Sequence, residues 1–539
     1  MRRTILGDYL LIILRKADIE EPSNTPWIED IVLLLAKLSY STSLKCSPPL
    51  SQKSRNLFRN RLSSVFTRLV ADLTGYSYPC SVLFNSEFAP DGVEMDKDIT
   101  KVKDDALSTL EKILKKSKKE KSKKSKADDK APLQALALLY SLVIFQLYNS
   151  EVEAVSILDE LKLCYDKLIR HKADDEEDSE VEASEVLVEL LLSLVSKPSA
   201  LLRKVAQHVF QAFMEEISEG GLQLMTDVLE SGESLRGQQE LFDQQPEDGE
   251  EVSDNEEGSE DDDEDEDVEM DSDVEVIDTS GALNGHLINE SSSDDSEDDS
   301  AEEIEEDESE FKNDIEVQKL NDALALALGT KSLDPEAEES DSDADMTDSE
   351  MMALDSKLVE IFSQRKKIPN KKQEQKDAKV TMVNFKSRVL DLLEIYVKKQ
   401  AANPLSLGLL IPLLKLIRTT NTKQLADKAH GIITSFQKAS KDANKEGMAG
   451  ISADAQLALI KAIHLEAQND QSQRFAKAAS SAALLIVSNL WRADRESLEE
   501  TAAVYTEMMV ARAKGEIEIH AEMQTGWSNW LISVAPVKK

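Results

Sequence analysis

Hydroxyl side chains in one stretch of this chain repeatedly stand three residues before an acid. Seven of them are Ser253 before Glu256, Ser259 before Asp262, Ser272 before Glu275, Ser296 before Asp299, Ser300 before Glu303, Ser340 before Asp343 and Thr347 before Glu350. Acid-directed kinases of the casein-kinase type need this arrangement, and each phosphate would add about −1.5 to −2 of charge. Serine-rich acidic sequence also produces such matches by chance, so these are candidate modification sites. A second run is basic: Lys112, Lys115, Lys116, Lys118, Lys119, Lys121, Lys123, Lys124 and Lys126 put nine lysines into the fifteen residues 112–126. It reads as a solvated loop over 112–130, as a nuclear or nucleolar import signal, or as an electrostatic patch for phosphates. No aromatic residue is interleaved, so the run cannot stack bases. Any contact with nucleic acid there is expected to be nonspecific and salt-sensitive.

The residues that would support catalysis are less convincing. Nucleotidyl transfer by two metal ions needs carboxylates held on a rigid scaffold. The Asp-x-Asp matches here, Asp271/Asp273 and Asp341/Asp343, lie where acids are so dense that such pairs arise from composition alone. No Gly-x-x-x-x-Gly-Lys-Ser/Thr phosphate loop occurs. His208, His430 and His464 fall in helical runs with no Cys or His at ligand spacing, and read as helix residues. Trp491, Trp527 and Trp530 read as packing residues. No metal, cofactor or enzymatic activity is expected.

The acids are concentrated in one place. Residues 247–350 contain 45 Asp and Glu against three lysines, a net charge of −42 that equals the formal charge of the whole chain. Against totals of 105 acidic and 63 basic residues, that leaves 60 of each elsewhere. The tract therefore does not make the remainder repel nucleic acid, since charges are screened beyond about 8 Å at about 0.15 M salt. Such a composition buries too little apolar surface to offset chain entropy, so 246–350 is expected to be a disordered, Ser-rich region. A short helix near 315–328 is the exception: Val317, Leu320, Leu324 and Leu328 keep helical spacing. It would dock on the helical arms or bind a partner.

The flanks that must carry any site read as helix. Val186, Leu187, Leu190, Leu191, Leu194 and Val195 repeat as pairs every four residues. Lys197-Pro198-Ser199 breaks that helix, and Ser199 can cap the next, marked by Leu201, Leu202, Val205, Ala206, Val209 and Phe210. Similar pairs are predicted at 404–418 with 422–438, where Pro412 should kink the first helix, and at 454–468 with 471–491. The fold class expected is all-α: armadillo/HEAT-like helical solenoid segments over 1–245 and 351–539, interrupted by the acidic tract. Basic residues before an apolar stretch make the N-terminus resemble a signal peptide, but Asp8 interrupts it and no small-residue cleavage site follows. An amphipathic helix is expected, with the chain entering a helical array at once. Cys46, Cys80 and Cys164 are too widely spaced for a framework of disulfides, which suits cytosol or nucleus. No apolar run is seen to approach the roughly 18 residues of a membrane span, so no membrane partner is expected.

Several segments, taken in order, carry a resemblance. Leu224-Met-Thr-Asp-Val-Leu229 and Gly237-Gln-Gln-Glu-Leu-Phe-Asp243 run into acid, followed by Ser272-Asp-Val-Glu-Val-Ile-Asp278. Then come Leu320-Asn-Asp-Ala-Leu-Ala-Leu-Ala-Leu-Gly-Thr330, the segment Asp348–Phe362, and Phe385-Lys-Ser-Arg-Val-Leu-Asp-Leu-Leu-Glu-Ile-Tyr396 with Pro404–Leu414. Together they resemble the DNA polymerase V (polymerase phi) / Myb-binding protein 1A family, over nearly the whole chain but only the family's C-terminal half or so. A fragment or a truncated gene model is therefore expected. The resemblance implies a nucleolar, armadillo-like protein acting in ribosomal RNA gene expression and ribosome biogenesis. The implied partners are nucleolar, transcription and ribosome-assembly proteins, and rDNA or RNA. Family members often end in a basic tail, whereas this chain stops at Val537-Lys-Lys539. Two alternatives stand beside the scaffold: an acidic-tract chaperone for histones or ribosomal proteins, and the polymerase that the family name suggests.

Overall fold

The computed structural model describes residues 2–535 apart from 17–25, 43, 45, 94, 123–129, 171–176, 243–370 and 444–449. The acidic tract, its seven candidate hydroxyl sites, its Asp-x-Asp pairs and the helix expected near 315–328 lie outside the described residues. Met1–Glu275 and Ala378–Lys539 form one compact unit. Of the second, Val276–Asp377, only the first turns of one helix are described.

Every described element is helical, and neighbours in sequence pack on one another as a solenoid. The N-terminal arm runs α1 (Arg2–Lys16), α2 (Pro26–Tyr40), α3 (Gln52–Leu69), α4 (Ser77–Leu83), α5 (Lys97–Ser122), α6 (Ala131–Tyr148), α7 (Ala154–Cys164), α8 (Glu177–Ser196), α9 (Ala200–Ala212), α10 (Glu219–Glu230) and α11 (Leu235–Phe242). The α8–α9 pair forms as its sequence predicts. Ser199 is the N-cap, its hydroxyl accepting from the Leu202 amide at 3.4 Å, while Val205, Ala206, Val209 and Phe210 are buried. A cap of this kind is worth about 1 kcal/mol. In α1, Leu11 and Leu14 are buried, and Asp8 pairs with Arg61 at 2.6 Å. The acid that interrupts the apolar stretch thus fastens the helix to α3.

One membrane reading needs correction. Helix α6 is 18 residues long, uncharged, and by length and composition apolar enough to span a bilayer. It is 83% buried within the protein, with α4, α5, α7 and α9 packed around it. A helix apolar on all sides is what the centre of a helical layer requires.

The C-terminal arm runs α12 (Lys371–Lys399), α13 (Leu410–Thr419), α14 (Lys423–Ala443), α15 (Ala453–Glu466), α16 (Gln473–Ala493), α17 (Ser497–Lys514) and α18 (Ala521–Val534). Pro412 falls in the first turn of its helix. A 3₁₀ segment, Pro404–Leu409, precedes α13, so Pro412 is the third residue of the α-helix. In the first turn the missing N–H has no intrahelical partner to lose. Ser452 and Ser472 cap α15 and α16, and Gly515 at φ +75° ends α17 in the left-handed conformation that glycine adopts without cost.

The two arms share a core. Helix α10 packs on α13, and the ring of Phe210 lies 6.3 Å from that of Tyr396. Phe242, the last residue described before the gap, lies 5.7 Å from Phe385 of α12 by ring centroid. At the junction two buried cations of α12 reach into the N-terminal arm. Arg388 Nη1 donates to the carbonyls of Val195, Ser196 and Lys197 at 3.0, 3.2 and 3.0 Å, capping the end of α8. Lys386, 2% exposed, pairs with Glu233 at 3.3 Å. A helix C-terminus leaves four carbonyls without partners and a partial negative charge, which is what a guanidinium satisfies.

Candidate functional site

The lysine run is the first candidate, and its local structure differs from the expected loop. Helix α5 continues through Ser122 because the run still presents an inward face: Leu110 and Ile113 are fully buried and Ser117 nearly so. Lysine is a good helix former, so nothing in Lys112–Ser122 opposes continuation. The loop reading is corrected for 112–122, and 123–129 lie outside the described residues.

The lysines that are described divide by task. Lys116 Nζ donates to the Ile169 carbonyl at 3.1 Å, closing the π-helical turn Tyr165–Arg170 that follows α7. Lys115 pairs with Glu111 one turn back at 2.6 Å, both ends exposed. Lys112 and Lys118 are exposed, with no ion pair among the described residues. Positions 112, 115 and 118 follow i, i+3 spacing, so these three ammonium groups share one exposed strip. Lys119 and Lys121 belong to the helix, but their side chains, like Lys123, Lys124 and Lys126 altogether, lie outside the described residues. The strip can hold phosphates by charge alone, without reading bases.

The residues that might have supported catalysis have packing roles. His464 is buried with its ring edge-on to Tyr505 at 4.7 Å, and burial pushes its pKa down to about 4. His208 Nε2 lies 2.9 Å from the Val70 carbonyl. Burial also lowers His430, with Asp427 opposing. Burial raises the Cys80 and Cys164 thiols to about 12, far from the thiolate a nucleophile needs. Trp527 stacks between Tyr505 and Trp530 at 4.3 and 5.3 Å, and Trp530 donates to Ser488 Oγ at 3.0 Å. Trp491 sits edge-on to Trp530, with the Arg495 guanidinium 5.0 Å from its ring centroid. These rings hold α16, α17 and α18 together, as packing residues do. Among the described residues no group of three or more His, Cys, Asp or Glu could hold a metal ion.

Sequence reasoning missed Arg388 and Lys386. The available signal was two cations inside the apolar run Phe385-Lys-Ser-Arg-Val-Leu390, where helical spacing places them beside core positions.

Comparison with known proteins gives a consistent picture. Residues 1–397 match the family model described as DNA polymerase phi. The rDNA transcriptional regulator pol5 of Schizosaccharomyces pombe is 31% identical over 262 residues, 45% of this chain and 26% of that protein. The rDNA transcriptional regulator POL5 of Saccharomyces cerevisiae is 28% identical over 386 residues, 65% of this chain and 34% of that protein. Myb-binding protein 1A of Homo sapiens is 29% identical over 307 residues, 54% of this chain and 21% of that protein. The chain thus spans between a fifth and about a third of the length of these relatives. No solved structure matches.

Proposed function

The chain belongs to the DNA polymerase phi family, and from that premise we propose that it is a nuclear, nucleolar helical scaffold regulating transcription of ribosomal RNA genes and ribosome biogenesis. The observation that carries this reading is the match of 45% and 65% of the chain to two relatives named as rDNA transcriptional regulators. Helical solenoids offer long surfaces for protein partners, and the name Myb-binding protein 1A describes a relative that binds Myb. The α5 lysine strip adds a charge-based contact for rDNA or RNA and an import signal.

We read the protein as non-enzymatic. The histidines and buried thiols that might act as bases or nucleophiles are committed to helix packing. Chromatin immunoprecipitation across the ribosomal RNA genes, with nascent-transcript measurement after depletion, tests the proposal. Enrichment at those genes with altered nascent ribosomal RNA is expected, and absence from them would overturn it. A nucleotide-incorporation assay on the purified chain should give no extension.

The confinement of −42 to residues 247–350 favours a second activity, the shielding of basic clients such as histones or ribosomal proteins. Deleting 247–350 should abolish histone binding in pull-downs while leaving the helical arms folded. The seven Ser/Thr sites would strengthen that binding once phosphorylated, which mass spectrometry and phosphatase treatment together can measure.

A further inference from the structure

A cavity of about 250 Å³ lies between α2, α3, α6 and the Lys197–Ser199 turn that opens α9, at a distance in sequence from every candidate considered above. Its floor is apolar, formed by side chains such as Leu62, Phe66, Leu142 and Leu202. Its rim is polar and incompletely paired. The Arg59 guanidinium carbon stands 5.2 Å from the centroid of the Tyr40 ring, and Arg59 has no ion-pair partner among the described residues. Its Nε is shut off from solvent without a hydrogen bond. Gln146, 7% exposed, lines the same cavity, and its Oε1 also lacks a partner.

The other polar groups there are engaged with one another. The Tyr40 hydroxyl donates to Asn149 Oδ1 at 2.9 Å, the Ser199 hydroxyl accepts from the Leu202 amide, and Lys197 binds Glu153 at 2.6 Å and approaches Glu151 at 4.0 Å. What remains open is one guanidinium, one amide oxygen and an apolar floor. Buried polar groups are rarely left without partners, and each costs about as much as a lost hydrogen bond. A cavity whose lining holds an orphaned acceptor and a guanidinium without an ion pair therefore describes a ligand.

We propose that this cavity binds a linear acidic–apolar peptide segment of a partner protein: a bulky apolar side chain seats on the floor, the adjacent backbone N–H donates to Gln146 Oε1, and a neighbouring carboxylate pairs with Arg59. The volume sets the scale. Pockets for small-molecule ligands run from about 300 to 1,000 Å³, so this one suits a single anchoring side chain with most of the segment lying outside. Charge selects the neighbour, because of the two described cations lining the cavity Lys197 has carboxylate partners and Arg59 has none, and its flat donor array fits a carboxylate with two parallel hydrogen bonds. The inference stands apart from the transcription reading, since it concerns binding alone.

The test is fluorescence anisotropy of the full chain titrated against a labelled eight-residue peptide with one phenylalanine flanked by glutamates. Saturable binding is expected. It should weaken about tenfold when the glutamates become glutamine, by the same factor in R59A, and at least as much when the phenylalanine becomes serine, one tenfold step being the loss of one good polar contact. Q146L should also weaken binding, and S528A, on the exposed side of α18, should leave it unchanged. Should R59A fail to fold, R59K serves in its place. It keeps the charge but not the paired geometry and should bind the glutamate peptide severalfold less tightly. No saturable binding, equal affinity for the glutamate and glutamine peptides, or wild-type affinity in folded R59A each overturns the proposal.

Discussion

Arg388 and Arg59 are arginines of the same helical unit in opposite situations. Arg388 is buried where α12 meets α8 and gives one nitrogen to three backbone carbonyls. Arg59 stands against an aromatic face beside a cavity, half-buried, and makes neither a hydrogen bond nor an ion pair among the described residues. The first position joins two arms of the fold that lie far apart in sequence, and a cation there is consumed by structure. The second joins helices already packed through apolar contacts, so its cation is spare. Cations that bond the carbonyls of another element maintain the fold, and those that make neither hydrogen bond nor ion pair are where a ligand is to be sought.

The comparison breaks most readily at Arg388. Removing it strips the end of α8 of its donor and leaves carbonyls sealed from water. Truncating one side of a buried charged contact typically costs about 3–5 kcal/mol. R388A should therefore lower the unfolding free energy of the full chain by that order in denaturant titration, with partial recovery in R388K. An R59A variant should lose well under half as much, because no bond is broken. Equal losses at both positions would erase the distinction.

Next in size is His464, a buried group whose charge state answers to pH. Its folded pKa of about 4 lies below the ordinary value of 6.5. Between these values the unfolded chain binds the proton and the folded chain does not, so stability is full above pH 6.5 and falls as pH drops towards 4. A shift of about 2.5 units corresponds to about 3 kcal/mol at the acid end. Unfolding titrations at pH 7 and pH 4 should show this loss in the wild type. H464L, which keeps an apolar neighbour for Tyr505 and has no proton to bind, should show about 3 kcal/mol less acid sensitivity. An unchanged acid loss in H464L would place the titrating group elsewhere.

Much of the helical frame was legible in the sequence because its signals are local. The paired Val and Leu of α8, the Lys-Pro-Ser break and the Ser199 cap are all contained within a few residues, and each formed as read. The end of α5 was misread because charge density outweighed two inward positions, Ile113 and Ser117, that a helix needs only every three or four residues. The apolar length of α6 was missed because tyrosine, serine and glutamine interrupt it without charging it. Pro412 was misplaced because the switch from 3₁₀ to α two residues earlier depends on tertiary packing. The Arg59 cavity had no sequence signal, since it is made by Tyr40, Arg59, Gln146 and Lys197 from four separate elements.

The smallest effect on stability should come from the cations that are wholly outside, the α5 strip. Lys112, Lys115 and Lys118 are exposed, and the Lys115–Glu111 contact is an i, i+4 surface pair worth about 0.3–0.5 kcal/mol. Replacing all three with glutamine should therefore change unfolding free energy by less than about 0.5 kcal/mol. Its effect on phosphate binding should be large by comparison. Each ammonium that contacts duplex DNA releases counterions and contributes about 0.9 to the slope of log affinity against log salt, so the triple variant should flatten that slope by up to about 2.7. Lys116 provides the internal control. It is spent on the Ile169 carbonyl, so K116Q should cost stability and leave the salt slope nearly unchanged. If instead K116Q flattens the slope as much as replacing Lys118, then a lysine's hydrogen bonding within the helical arm does not decide its availability to phosphate, and the contrast between spent and spare cations fails at the surface as well.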